Sequence, residues 1–362
     1  MMGARCDIPN LGDVRGISGG DVPAVDVLTA STPCQSFSEA LPNAQRNGLD
    51  GKSSLFFEFP RIMKEMLYAT GGIYPRYAVW ENVGNVVERY GDFSRILDAL
   101  VSAVRAGCGY TGGELRIPEE PPRGAPPFAG SVCDPLGRFS VGWRVHNARH
   151  WGVPQSRSRI ALVVSTHGAD AAGLVFDAPQ KDVLPAPVPD EGTRRSAGGD
   201  GGKALVNTDF YPRAVTTNYT GCIRAGSCGS GRHFQLIVDT NGIGDAPPPA
   251  RMFSTPELLL LQGFPATWLD IDGMNESDKV DLVGNSIALP YWKWLLGRIY
   301  HIGLSGTPGA TLGSLFDGMG GFPLVWHGLG GRTRWVADIK PAAIACHTHH
   351  NRLRSFGVAD NA

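Results

Sequence analysis

Three short apolar runs end in polar residues: VDVLTAS at 25–31, RYAVWENV at 76–83 and RIALVVS at 159–165. Runs of this length, rich in β-branched residues, read as buried strands. Helical spacing of apolar residues fills residues 54–67 and 93–104, so strand and helix alternate as in a parallel α/β sheet. Such sheets bind ligands at the carboxyl ends of their strands. That places the turn after residue 31 and the Glu81-Asn82 pair where chemistry is expected.

Other stretches break the rhythm. Residues 112–137 are rich in Pro and Gly and read as an irregular excursion, while 168–249 is long, Gly-rich and poor in helical periodicity, enough for a small domain. Within it, residues 192–235 carry six Lys/Arg (Arg194, Arg195, Lys203, Arg213, Arg224, Arg232) against two Asp, with Tyr211, Tyr219 and Phe234 interspersed. That pattern suits a phosphate-facing surface, and equally a solvated basic loop. Helix returns at 254–264, opened by a Ser cap with Glu three residues on, and again at about 290–300. A linker-like GLSGTPGATLG at 303–313 then leads into a strand and glycine loop, GSLFDGMGGF.

With 42% hydrophobic residues, a chain of 362 can bury the core of one large α/β domain plus a smaller one. No apolar run reaches membrane-spanning length and no basic-then-apolar leader is present, so a cytoplasmic location is the expectation. Seven scattered cysteines form no disulfide framework and suit a reducing compartment. A net charge of -1 means that any nucleic-acid contact must come from a local patch.

Several residues carry candidate chemistry. Cys34, flanked by Pro33 and by Gln35-Ser36-Phe37-Ser38, stands in a polar turn past a strand, unlike the cysteines whose sequence setting is that of small hydrophobes. Glu81 ends another strand, where a carboxylate needs a partner or a function. Gln155, Arg157 and Arg159 alternate into the third strand, which puts both arginines on one face. The loop from Phe316 through Gly318 and Gly320 follows a strand and precedes a helix, and Asp338 ends the next strand, as in nucleotide-binding turns. Glycine turns after strands are also common, and Asp338 alone fits a helix cap. His347, His349, His350, Cys222 and Cys228 match no complete metal-ligand spacing, so no metal is expected.

Taken together, PCQSFS, WENV, QSRSR, LQGFP, GNS and FDGMGG resemble the motif set of DNA cytosine-5 methyltransferases, in the phage and bacterial style of GLDGKSSLFFEFPRIMKEM and HWGVPQSRSRI. The resemblance covers most of the chain outside residues 112–137 and the variable domain. It implies a class I S-adenosylmethionine-dependent methyltransferase fold: Rossmann-like, with a mostly parallel seven-stranded sheet and a small target-recognition domain. The implied activity is methyl transfer to C5 of cytosine in a specific duplex DNA sequence. Cys34 would attack C6 of a flipped-out base, Glu81 would hold and protonate N3, and Arg159, supported by Arg157, would bind O2.

For the cofactor, the resemblance implies Phe316, Gly318, Gly320, Asp338 and Ile339, with Asp13, Val14, Pro33, Asn285 and Ser286. Lys340 departs from the family pattern, where an acidic residue is commoner, as does Ile339, where some members carry an aromatic. Implied DNA contacts are Gln35, Ser38, Arg194, Arg195, Arg213, Thr216 and Thr217, although 212–219 also reads as an ordinary strand. A tRNA cytosine-5 methyltransferase uses the same core motifs, and a non-catalytic cofactor- or DNA-binding remnant is the non-enzyme alternative. The implied partners are double-stranded DNA and, without a stable complex, a cognate restriction endonuclease; the chain is expected to be monomeric.

The motif order is rearranged, because the glycine loop follows the Gly-Asn-Ser segment instead of opening the chain. The expected organisation is catalytic domain over 1–167, target-recognition domain over 168–250, a catalytic return segment over 251–302, a linker over 303–313 and a cofactor-binding segment over 314–362. As a circular permutation, this requires Phe316 to Asp338 to pack beside the strand leading to Cys34, with Met1 and Ala362 in exposed segments on one side of the sheet. Otherwise the C-terminal piece serves another chain, or the order reflects where a circular sequence was opened.

Overall fold

The computed structural model describes residues 8–34, 37, 48–113, 115, 117, 128–176, 203–207, 214–216, 220–224, 235–239 and 250–355. Met1 and Ala362, whose placement the permutation concerns, lie outside them.

The first full strand is β1 (Val27–Ser31), followed by α1 (Glu58–Ala69), β2 (Tyr77–Val83) and α2 (Tyr90–Cys108). Helix α1 buries Phe59, Ile62, Met63, Met66 and Leu67, a single stripe at helical spacing. Its expected first turn is instead a 3-10 turn, Lys52–Phe57, where buried Ser53 turns its hydroxyl onto the Pro33 carbonyl. Helix α2 runs beyond the expected 93–104 at both ends and stops at Gly109, which takes a left-handed conformation, φ 66°.

A strand lies within the supposed excursion. Strands β3 (Ala129–Cys133) and β4 (Ser140–Asn147) form an antiparallel hairpin, closed by buried Asp134, which accepts from the Leu136 and Arg138 amides and pairs with the Arg138 guanidinium. Strand β5 (Ser158–Ser165) and the short α3 (Ala171–Phe176) follow.

The chain then enters a four-stranded sheet of β6 (Lys203–Asn207), β7 (Ala214–Thr216), β8 (Gln235–Asp239) and β9 (Ala250–Met252), ordered β7-β6-β8-β9 with antiparallel pairs. Helices α4 (Thr255–Gln262), α5 (Glu276–Asn285) and α6 (Leu289–Arg298) come next. Helix α4 opens with the expected capping box of Ser254 and Glu257. Helix α6 passes into a π-helical turn, Ile299–Gly303. Strand β10 (Thr311–Leu315) starts inside the expected linker, so the connection is only 304–310; α7 (Gly321–Gly328), β11 (Arg332–Ala337) and α8 (Pro341–Ser355) complete the path.

The main sheet has seven strands in the order β11-β10-β1-β2-β5-β4-β3. Its first four strands are parallel, with Ala30 opposite Leu315 and Ser31 opposite Glu81. Strand β5 corrects the simple parallel expectation, since it runs antiparallel to β2. Residues 148–157, which join it to its sheet neighbour β4, are too few for the crossover that parallel neighbours require. The reversal is useful: the start of β5, Arg159, lies opposite Val83 at the carboxyl end of β2.

The C-terminal strand β10 therefore sits between β11 and β1, in the interior of the sheet. Trp335 packs over it so closely that a Cβ on Gly313 would lie 2.4 Å from the indole. At the outer side of β11, Pro9 to Leu11 add a short parallel stretch: Leu11 N–H donates to Val336 O at 2.8 Å and Val336 N–H to Pro9 O at 3.0 Å. One core cluster takes in Leu28, Trp80, Leu162, Leu315 and Trp335 from strands at both ends of the sequence.

The chain divides into two compact units. The first comprises Met1–His146, Ser158–Ala178 and Lys293–Ile339; the second comprises Asn147–Arg157, Pro179–Trp292 and Lys340–Ala362. The second is larger than the 168–250 segment, and α3 within that segment belongs to the first.

Candidate active site

The first unit gathers its chemistry where β10, β1 and β2 end. Beyond β1 the chain is pinned by three donors: Trp80 Nε1 to Thr32 Oγ1 at 2.8 Å, Asn82 Nδ2 to Thr32 O at 3.0 Å and Ser53 Oγ to Pro33 O at 3.0 Å. Half-buried Cys34 follows. On its far side, Phe37 N–H donates to Cys34 O at 3.0 Å, the Phe37 ring is buried, and Asn85 Nδ2 donates to Phe37 O at 2.8 Å. The nucleophile candidate thus has its backbone held both before and after it. Sequence reading gave no role to Thr32, Ser53 or Asn85, and none of its own to Asn82; Ser53 and Asn82 stood within quoted motifs.

On the neighbouring strand Glu81 is 7% exposed and pairs with Arg159, Oε1 to Nε at 3.1 Å. The antiparallel entry of β5 makes this pair, because it brings the arginine to the edge where β2 ends. Gly84, just past β2, lets the chain approach β5; a Cβ there would come within 2.4 Å of Ser158 Oγ.

The glycine loop leaves β10 beside the chain leaving β1. Phe316 adopts φ 56°, uncommon for a bulky residue and a form of strain that clusters at ligand sites. Gly318 (φ 61°) faces open space, with nothing within 4 Å of the point a Cβ would occupy, and Gly320 (φ 84°) caps α7. Two ties hold the loop to the end of β11: Asp317 N–H to Ala337 O at 3.1 Å and Gly318 N–H to Asp338 Oδ2 at 2.9 Å. Asp338 is itself held by Asn10, and Ile339 beside it is 62% exposed.

Asp13 and Val14 begin a 3-10 turn, Val14–Gly16, with Asp13 as its cap. Arg15 bonds the Asp13 carboxylate and holds it down to about 2. The Val14 side chain is buried in the core. Arg61 of α1 fixes this segment, donating to Val14 O at 3.0 Å and Ile17 O at 2.9 Å while paired with Glu58 and Glu65.

Arg157 departs from expectation. It precedes β5 instead of sharing a strand face with Arg159, and it belongs to the second unit. Only 2% exposed, its guanidinium donates to the carbonyls of Ile223 (2.7 Å), Gly284 and Ser286. These bonds make it a buried anchor, not a companion of Arg159 on one strand face. Gln155 does similar work, donating to Leu261 O at 2.9 Å and accepting from Ile223 N–H at 3.0 Å. Asn285 is exposed at the end of α5 and donates to Asp281 O at 2.8 Å, while Ser286 is buried. Lys340 pairs with Asp281 at 2.6 Å.

Gln35, Ser38, Arg194, Arg195, Arg213 and Thr217 lie outside the described residues; Thr216 lies in β7, paired with Leu205. Among the histidines singled out, His350 stacks on Trp268 at 3.5 Å. Among the described residues no group of three or more metal-ligating side chains occurs, and no helix is long and apolar enough to cross a membrane.

Residues 4–110 match the family described as C-5 cytosine-specific DNA methylase. The type II methyltransferase M.NgoBV of Neisseria gonorrhoeae is 31% identical over 155 residues, covering 42% of this chain and 28% of that protein. The DNA N-6-adenine-methyltransferase of Escherichia phage P1 is 28% identical over 186 residues, covering 47% and 24%. The type II methyltransferase M.NlaX of Neisseria lactamica is 25% identical over 305 residues, covering 77% of each chain. The chain thus spans 28% of the length of M.NgoBV and 24% of that of the phage P1 protein. Residues 4–110 thus match the C-5 cytosine-specific DNA methylase family, and the Rossmann-like seven-stranded sheet is that of the class I methyltransferase fold.

Proposed function

We propose that this chain transfers a methyl group from S-adenosylmethionine to C5 of cytosine within a specific sequence of duplex DNA. The observation that carries this reading is the common edge: the turn to Cys34, the Glu81–Arg159 pair and the glycine loop leave strands in direct register.

The residues present fit the cofactor. Open space at Gly318, a carboxylate at the end of β11 and the exposed Ile339 beside it suit an adenosine. Phe316, Gly318, Gly320, Asp338 and Ile339 would hold it, with Asp13, Val14, Pro33, Asn285 and Ser286 completing the set. When bound, it supplies an electrophilic methyl group on a sulfonium.

The Cys34 thiolate adds to C6 of an extruded cytosine, and the displaced electron pair moves toward N3 and O2. Glu81 holds and protonates N3, while Arg159 stabilises charge at O2. Carbon C5, now nucleophilic, takes the methyl group. Loss of the C5 proton to a base restores the ring double bond and expels Cys34 as a thiolate, while the N3 proton returns to Glu81. Extruding the base costs a few kcal/mol, offset by contacts in the site. Gln35, Ser38, Arg194, Arg195, Arg213, Thr216 and Thr217 are proposed to meet the DNA, with Arg157 holding recognition backbone. The motif order is read as a circular permutation completed within one monomeric chain, acting inside the cell with or without a companion endonuclease.

Bisulfite sequencing of DNA from an expression host tests the reading and reveals the recognised sequence. Expected is full conversion protection at one sequence context. Equal conversion in expressing and empty cells, with methylation of purified tRNA or of adenine instead, would overturn it. Duplex DNA containing 5-fluorocytosine should trap a covalent complex, which neither an amine methyltransferase nor a binding module forms.

A further inference from the structure

We propose that Asn10 is a positioning residue for the adenosine half of the cofactor, its carboxamide clamping two cofactor-facing segments that are 328 residues apart in sequence. The inference rests on the proposed cofactor site, in which Asp338 would bind the ribose hydroxyls and Asp13 the adenine amino group.

Asn10 uses both ends of its amide. Oδ1 accepts from Gly12 N–H at 3.1 Å and Asp338 N–H at 3.0 Å, while Nδ2 donates to Asp338 O at 3.0 Å. One side chain thereby grips the Asp338 residue by both its backbone groups and fixes the turn into Asp13. Among uncharged side chains only Asn and Gln offer an acceptor and a donor on adjacent atoms in this way. The grip is transmitted to the glycine loop, because the Asp338 carboxylate accepts the Gly318 N–H.

The clamp is needed because the main-chain pairing there is short. Pro9 to Leu11 contribute only two backbone hydrogen bonds to β11, and the chain then turns at Gly12, φ 74°. Without the carboxamide, the three hydrogen bonds it makes to Gly12 and Asp338 are lost together, and the tie that fixes the two acidic residues relative to one another is weakened.

The test is calorimetric titration of the full chain with S-adenosylhomocysteine and, separately, with 5′-deoxy-5′-methylthioadenosine, which carries the adenosine without the amino acid. Asn10→Ala should weaken both by a similar factor, at least about tenfold. Asn10→Asp keeps two acceptor bonds but faces the Asp338 carbonyl with a carboxylate, so an intermediate loss is expected. In turnover, the KM for the cofactor should rise while kcat at saturation stays within about twofold. Thermal unfolding establishes that each variant is folded at the titration temperature; if Asn10→Ala is not, Asn10→Asp decides. Affinities within twofold of the parent, or a loss confined to S-adenosylhomocysteine, would overturn the role. A parent chain or Asp338→Ala variant that breaks the pattern is distinguishable: no binding by the parent removes the methyltransferase reading itself, and full binding by Asp338→Ala removes the ribose site.

Discussion

Cys34 owes its placement to neighbours that have no part in the chemistry: Trp80, Asn82 and Ser53 hold the two residues before it, and Phe37 anchors the chain after it. Exchanging the sulfur for oxygen therefore leaves the backbone intact while removing the soft nucleophile. Cys34→Ser is expected to abolish methyl transfer with S-adenosylhomocysteine affinity unchanged, measured by tritium transfer and calorimetry; wild-type turnover would end the covalent mechanism. Glu81→Gln removes the proposed proton donor and the charge facing Arg159, and no proposed phosphate contact. Turnover should fall by about 10²- to 10⁴-fold with DNA affinity nearly kept, and a defect in affinity alone would speak against an acid role. Cys34, Glu81 and Arg159 are legible in the sequence because each stands in a short motif at a strand end. Arg157 is not, for a physical reason: alternation fixes a shared face only inside a strand, and β5 begins one residue too late.

At the scale of elements, the β3–β4 hairpin shows what proline and glycine counts conceal. Asp134 closes it, and Arg138 holds the carboxylate down to about 2 from an ordinary value of 3.8. A carboxylate depressed in the folded state adds stability that is complete above the unfolded value and is lost as pH falls through the folded one. Asp134→Asn should therefore lower the unfolding free energy at neutral pH, with the gap to wild type narrowing between about pH 4 and pH 2. Urea denaturation at stepped pH checks it, and a gap that does not change with pH would assign the loss to packing. Helices α1 and α2 are readable from their apolar stripes. The hairpin is not, because Gly130 and the Asp134 turn carry no strand periodicity; they pair only because β4 is there.

Across the whole molecule, the strand–helix alternation announces the sheet, but its order depends on pairings between distant segments. Asp26 at the start of β1 accepts from the Thr311 amide and hydroxyl, both at 2.8 Å, and Trp335 Nε1 reaches Pro23 O at 2.8 Å. Such contacts cost little extra loop-closure entropy, since that term grows only logarithmically with separation. Deleting everything after Ile302 removes β10 and β11 and leaves β1 as a bare edge. The shortened chain is expected to lose cooperative unfolding and S-adenosylhomocysteine binding. A monomeric truncated protein with undiminished affinity would show that the site is completed by something other than this chain.

The interior position of β10 also orders events in time. A ribosome releases β1 about 300 residues before β11, an interval of roughly 15 to 60 s at common elongation rates. Through that interval the growing chain holds strand edges with no partner, which invites pairing with other nascent chains. The order of the segments, harmless to the finished sheet, makes synthesis the stage at which its strand edges stay uncovered longest.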